Sequence, residues 1–235
     1  MLVDIFSSFD DHNVMVTGSY FFMWVGPMMF FSLFCLKKWV VLGGFGEFFS
    51  VLQLISFCQT HRSLGGRYMG GFCLIMCSFF ITLVVFNLSG LVPYCFSITA
   101  HLSFTLSFGL VMWMSIMISS ICMNYLKVMQ GFLPSGAPTL INPFLVLVET
   151  VSNLCRFLTI SIRLMANIGA GHIILSLVGM VLCTKIFSYS DFWEVELLGG
   201  IGLFSFEFCV ALIQVYIFCL LISLYSNEHP VEFLW

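Results

Sequence analysis

"PFLVLVETVSNLCRFLTISIRLMANIGAGHIILSLVGMVL", residues 143–182, contains nothing that breaks a helical pattern. At a rise of 1.5 Å per residue such a helix is about 60 Å long, twice the roughly 30 Å thickness of a bilayer's hydrocarbon core. It cannot stand upright as one straight span. Either it lies steeply tilted or it breaks at glycines such as Gly169 and Gly171. Into this apolar stretch the chain sets Glu149, Arg156 and Arg163. A charge at mid-membrane costs about 2.5 to 3.5 kcal/mol on insertion scales, so each of these residues asks for a function.

Downstream, a short polar turn, "TKIFSYSD", leads into a second overlong apolar element at 193–225, and the two predict a tilted hairpin of 143–182 and 193–225. Upstream, "QGFLPSGAPTLINP" (130–143) reads as a loop, with Asn142 as the cap and Pro143 as the first helical residue of the hairpin. Residues 99–126 and 68–92 predict two further spans, the latter closed by "GLVPY". The segment 39–58 carries "GGFGEFF" with Glu47 and is followed by the polar "QTHRSLGGR", which suits a helix lying along the interface. A first span, 14–36, ends at Lys37 and Lys38.

Composition agrees with this reading: 60% of the chain is hydrophobic and 8% charged, against roughly 25% charged in a soluble domain. The apolar runs match helices of about 20 residues, not barrel strands of about 10 alternating residues. The expected fold is an all-α integral membrane protein in a single domain, 1–235, with about five membrane helices and one interfacial helix. A net charge of -3, scattered along the chain, predicts no nucleic-acid partner. The 10 cysteines show no C-x-x-C and fall mostly in apolar runs, so no metal or redox site is expected of them. "MLVDIFSSFDDHN" has no basic residue, and no import or export signal is expected. Lys37, Lys38, Arg62, Arg67 and Lys127 fall in loops that alternate spanning places on one side, with the N-terminus opposite.

Glu149, Arg156 and Arg163 are spaced by seven, which returns each to within about 20° of one helix face, and Asn153 and Asn167 join them at spacings of four. Glu149 can neutralise Arg156 along the helix, but it lies about 21 Å from Arg163, which therefore needs an anion from elsewhere. With the hairpin turn centred near residue 187, Arg163 faces about residue 212, Glu207 about 167 and His172 about 203, with Gln214 close to the level of Arg163. A polar file of His172, Glu207, Gln214 and Arg163 emerges. Glu and His are groups whose pKa values an environment can move into the working range, which suits a proton relay, whereas Arg stays charged and suits a fixed barrier or counter-ion. His101 reads as interfacial, and with His172 it makes at most one axial pair, so no haem is expected.

At these residues the chain resembles subunit a of the rotary ATP synthases, in its mitochondrial form. The matching strings are "NLSGLVPY" (87–94), "HLSFTLSFG" (101–109), "ETVSNL" (149–154), "SIRLMANIGAGHIIL" (161–175) and "FEFCVALIQVYIFCLLISLY" (206–225). The resemblance implies a non-catalytic, cofactor-free stator subunit in the mitochondrial inner membrane. Its N-terminus would lie in the intermembrane space and its C-terminus in the matrix. Its partners would be c-ring subunits, other membrane and peripheral-stalk subunits of the synthase, and the lipid bilayer. It further implies that Arg163 faces the ring carboxylates, that Glu207 and His172 belong to the half-channel admitting protons, and that Glu149 belongs to the one releasing them. Asn167 and Gln214 match polar positions near the arginine. Arg156, one heptad before Arg163, is a departure from the family pattern, and its place predicts a pair with Glu149 or a role in tuning the exit path. Two rival classes are a membrane subunit of a respiratory oxidoreductase and a stand-alone proton-coupled transporter. The second usually shows internal repeats, and none is visible here.

Overall fold

The computed structural model describes residues 43–92, 96–132, 141–188 and 193–227, and the expected first span, 14–36, lies outside them. Apart from short connections the described residues are helical, with no strand among them. The helices are α1 (Gly43–Arg62), α2 (Leu64–Tyr68), α3 (Phe72–Leu91), α4 (Leu102–Gly131), α5 (Asn142–Phe187) and α6 (Trp193–Ser226), with a 3-10 turn, Ile98–Ala100, before α4. Helices α3 to α6 are long and apolar enough to cross a membrane. α1 has a span's length without its hydropathy.

Local chemistry explains where several elements begin. Gly71 takes φ 83, a left-handed conformation that side chains rarely adopt. The chain therefore breaks between α2 and α3, and the helix expected from Tyr68 starts at Phe72. Asn124, near the expected end of the next span, leaves helical geometry (φ -155, ψ 86) and kinks α4 before its last turns. Asn142 is already helical, with Ile141 flanking it, so the capping role expected of Asn142 is not taken.

α5 and α6 run unbroken for 46 and 34 residues, about 69 and 51 Å at the helical rise. The glycines that offered breaks are absorbed into helix, so tilting is the solution consistent with a bilayer. Because α5 continues to Phe187 and α6 begins at Trp193, the connection is centred near residue 190. An ion pair between Lys185 and Glu196 fastens that end of the hairpin.

The core is built from stripes at three- and four-residue spacing: Met76, Phe80 and Leu83 on α3, Met112 and Ile116 on α4, Ile160, Leu164 and Ile168 on α5, and Val215, Phe218 and Ile222 on α6. Lipid tails are as apolar as these side chains, so close packing has to hold the helices together. Small residues permit it. A Cβ at Gly109 of α4 would overlap the Ser161 hydroxyl of α5. α1 is joined to α3 by polar contacts, Thr60 Oγ1 lying 3.1 Å from Cys73 Sγ and Ser56 Oγ donating to Cys77 Sγ at 3.3 Å.

Candidate functional site

The inner stripe of α5 (Ile160, Leu164, Ile168, Gly171) is buried, which turns Arg163 outward together with Ile162, Ala166 and Ala170. Among the described residues Arg163 is exposed and forms no ion pair. Its surroundings are low in relief, and a Cβ added at Gly169 would meet nothing within 4 Å. A guanidinium on an otherwise apolar, small-residue helix face, with no counter-ion among the described residues, is costly in a bilayer unless a second molecule covers it.

One turn beyond Arg163, Asn167 Nδ2 donates to Gln214 Oε1 at 2.8 Å, and Gln214 is buried against α5. One further turn on, the Glu207 carboxylate lies against Gly171, where any Cβ would overlap it. Glu207 was expected level with about residue 167 and stands instead level with 171. The hairpin register is thus shifted by one turn, because the helices extend further before they reverse than a turn at 187 allows. Only glycine leaves room at 171 for the carboxylate to sit on the helix backbone. The shift brings Glu207 to the level of His172, closer than the expected register did.

His172 points Nε2 toward Gly90 of α3, whose missing Cβ would lie 3.9 Å away. One turn before Gly90, Asn87 is 1% exposed and donates from Nδ2 to the carbonyl of Ala211 at 3.4 Å. Ala211 follows Glu207 by four residues and precedes Gln214 by three, so Asn87 sits at the level between them. In the sequence Asn87 belongs to the string "NLSGLVPY". Its signal was an amide inside an apolar span. From the fastened end of the hairpin the polar groups therefore run His172, Glu207, Asn87, then Gln214 with Asn167, then Arg163.

A second polar group occupies the opposite end. Arg156 Nη2 lies 3.6 Å from Glu149 Oε1, as the seven-residue spacing anticipated, and its guanidinium stacks over the Tyr225 ring at 4.9 Å from the centroid. These residues line a cavity of about 390 Å³ together with Asn153, Lys127 and Ser120. Tyr225 was missed as a site residue, since at the end of an apolar run it reads as an interfacial anchor. Between the two polar groups the helix contact is filled by Ile160, Leu164, Val215 and Phe218, each no more than 5% exposed. The titratable side chains thus fall into two polar groups, His172 with Glu207 and Glu149 with Arg156, set apart along the hairpin by these apolar residues. Among the described residues no three His, Cys, Asp or Glu side chains converge to hold a metal ion.

Comparison with known proteins gives one consistent family. The family model described as "ATP synthase A chain" matches residues 14–227. Proteins named ATP synthase subunit a from Albinaria caerulea and Mytilus edulis are 34% and 32% identical, covering 98% and 97% of this chain and 100% and 99% of their own length. The locust protein of the same name, from Locusta migratoria, is 32% identical over 97% of this chain and 99% of its own.

Proposed function

The chain belongs to the ATP synthase A chain family, and on that premise we propose that it is the stator subunit through which protons drive a rotating ring, with Arg163 standing between two half-channels. The observation that carries this reading is the exposed Arg163, with no ion pair of its own among the described residues, set between the His172–Glu207 group and the Glu149–Arg156 cavity. Its counter-ion is then a carboxylate of the c-ring, supplied one subunit at a time.

A proton enters from the fastened end of the hairpin, reaches Glu207 by way of His172, and is handed to a ring carboxylate. The loaded ring turns until that carboxylate approaches Arg163 from the other side. There the ionised form is favoured beside the fixed positive charge, and the proton leaves through the cavity toward Glu149. Asn87, Gln214 and Asn167 present amides that hold water along the admitting side. The apolar plug of Leu164 and Val215 behind Arg163 keeps the two paths apart. Water at both polar ends limits how tightly the passing pair binds, so the ring is not trapped.

In this reading the chain has no catalytic site and takes no cofactor. It lies in the mitochondrial inner membrane with Arg62, Arg67 and Lys127 toward the matrix, the N-terminus in the intermembrane space and the C-terminus in the matrix. α1 rests along the matrix face of the bilayer. Other membrane and peripheral-stalk subunits and lipid cover the remaining apolar surface.

A photo-crosslinking amino acid placed at Ala166 or Ala170 is expected to capture a ring subunit in the assembled complex, whereas the same probe at Leu110 on α4 captures none. Absence of ring adducts at both hairpin positions would sink the reading. Arg156 is expected to position Glu149 and keep its carboxylate in the cavity. Arg156→Gln should slow coupled proton release about two- to tenfold, the scale of one lost charge-assisted hydrogen bond, without uncoupling the complex. Unchanged proton flux in that variant would remove Arg156 from the mechanism.

A further inference from the structure

The segment joining α3 to α4 contains polar groups, Thr99 and His101, that the proposed path does not use, close to Asn87, which it does. Thr99 is 0% exposed, and among the described residues its Oγ1 has no hydrogen-bond partner. The same holds for His101 Nε2 and for Asn87 Oδ1, both buried. The His101 ring is held in place: its backbone N–H donates to Ile98 O, its carbonyl accepts from Thr105 N–H, and the imidazole stacks on Phe96 at 4.9 Å. The 3-10 turn that carries Thr99 packs against α3, α4 and α5. Ser97, just before it, adjoins Gly90, and Gly90 adjoins His172 Nε2.

A buried polar atom left without a partner costs about 1 to 3 kcal/mol, so three of them around one connection call for a common explanation. A polar recess with several partners is where ordered water is retained. We propose that the connection Phe96–His101 forms the outer mouth of the path supplying His172 and Glu207, with Thr99 and His101 holding the water that carries protons into it. The inference rests on the stator reading and extends it outward, toward the hairpin's fastened end. Nearby titratable groups on the packed elements are His172 on α5 and Glu207 on α6. Residues 83–91 of α3 and 102–109 of α4 contain none.

A mouth of this kind sets how readily protons are captured and leaves the ring's maximal stepping rate untouched. In the assembled complex in sealed vesicles, with ATP synthesis followed against outer proton concentration, Thr99→Val and His101→Leu are each expected to raise the half-saturating proton concentration about two- to tenfold at an unchanged maximal rate, the worth of one hydrogen bond to a bridging water. His101→Gln, which keeps a hydrogen-bonding group at similar reach, restores the parental value. Parental half-saturation in both disrupting variants, a fall confined to the maximal rate, or failure of His101→Gln to restore the value would each overturn the proposal. Arg163→Ala is measured alongside. If it uncouples the complex while the mouth variants behave as the parent, this inference alone fails; if it leaves synthesis coupled, the reading beneath it fails.

Discussion

Arg163→Ala is expected to abolish proton-driven ATP synthesis in complexes that still assemble, while passive proton leak through the membrane sector persists or rises. The side chain is exposed on α5 and contributes nothing to the buried stripe of Ile160, Leu164 and Ile168, so its loss leaves the helix packing intact. What disappears is a fixed positive charge. At about 4 Å in partly wet surroundings, a charge pair is worth about 4 kcal/mol, close to three decades in the balance between an ionised and a protonated ring carboxylate. Without it a ring carboxyl can carry its proton through the contact unreleased, and rotation no longer requires discharge on the far side. Synthesis and leak must be measured together on the same membranes, with subunit content checked first. Near-normal coupled synthesis in that variant would make Arg163 a structural residue and leave the stator reading without its centre.

The second large effect is expected at a residue with no chemistry of its own. A methyl group at Gly171 would occupy the space in which the Glu207 carboxylate rests. The obstructing atoms belong to the far end of a flexible side chain, so the helices need not separate and Gly171→Ala should assemble. The carboxylate, however, is forced off its seat beside His172. Displacing a proton-transfer group by about 1 Å can cost roughly a hundredfold in rate, and a fall of that order in coupled turnover is expected. The geometry adds a sharper test. Glu207→Asp shortens the side chain by one methylene and withdraws it from the new methyl, so the double variant Gly171→Ala, Glu207→Asp should turn over faster than Gly171→Ala alone. A double variant with simply compounded losses would mean that the contact between the two positions does not set the position of the acid.

Much of this was legible because the bilayer enforces simple rules. Span lengths, the polar loop before the hairpin, and the spacing of Glu149, Arg156 and Arg163 follow from helix rise and from the cost of charge in hydrocarbon. The Glu149–Arg156 pair appears where its spacing put it. The hairpin register did not come through, because it depends on where two helices end. Polar residues at 184–191 suggested an early turn, yet α5 continues through Lys185 to Phe187, held by Glu196 across the gap. One turn of error was enough to hide the fit of Glu207 onto Gly171. Asn87 and Tyr225 were obscured differently. A lone amide in an apolar span commonly serves as helix glue, and a terminal tyrosine as an anchor. Only the contacts with Ala211 and Arg156 separate those ordinary uses from a place in the site.

The unbroken helices of the hairpin also bear on mechanics. Six glycines lie from position 169 to 202, at 169, 171, 179, 199, 200 and 202, and every one is spanned by continuous helix, so neither rod contains a hinge. In the proposed stator, tangential drag from the ring on Arg163 acts on a stiff beam backed along one side by α4 and α6 and clamped at its tip by Lys185 and Glu196. Such a beam yields little under load. Elastic recoil between steps of the ring would then have to reside in other parts of the machine, and the spacing between Arg163 and the passing carboxylates stays constant through the cycle.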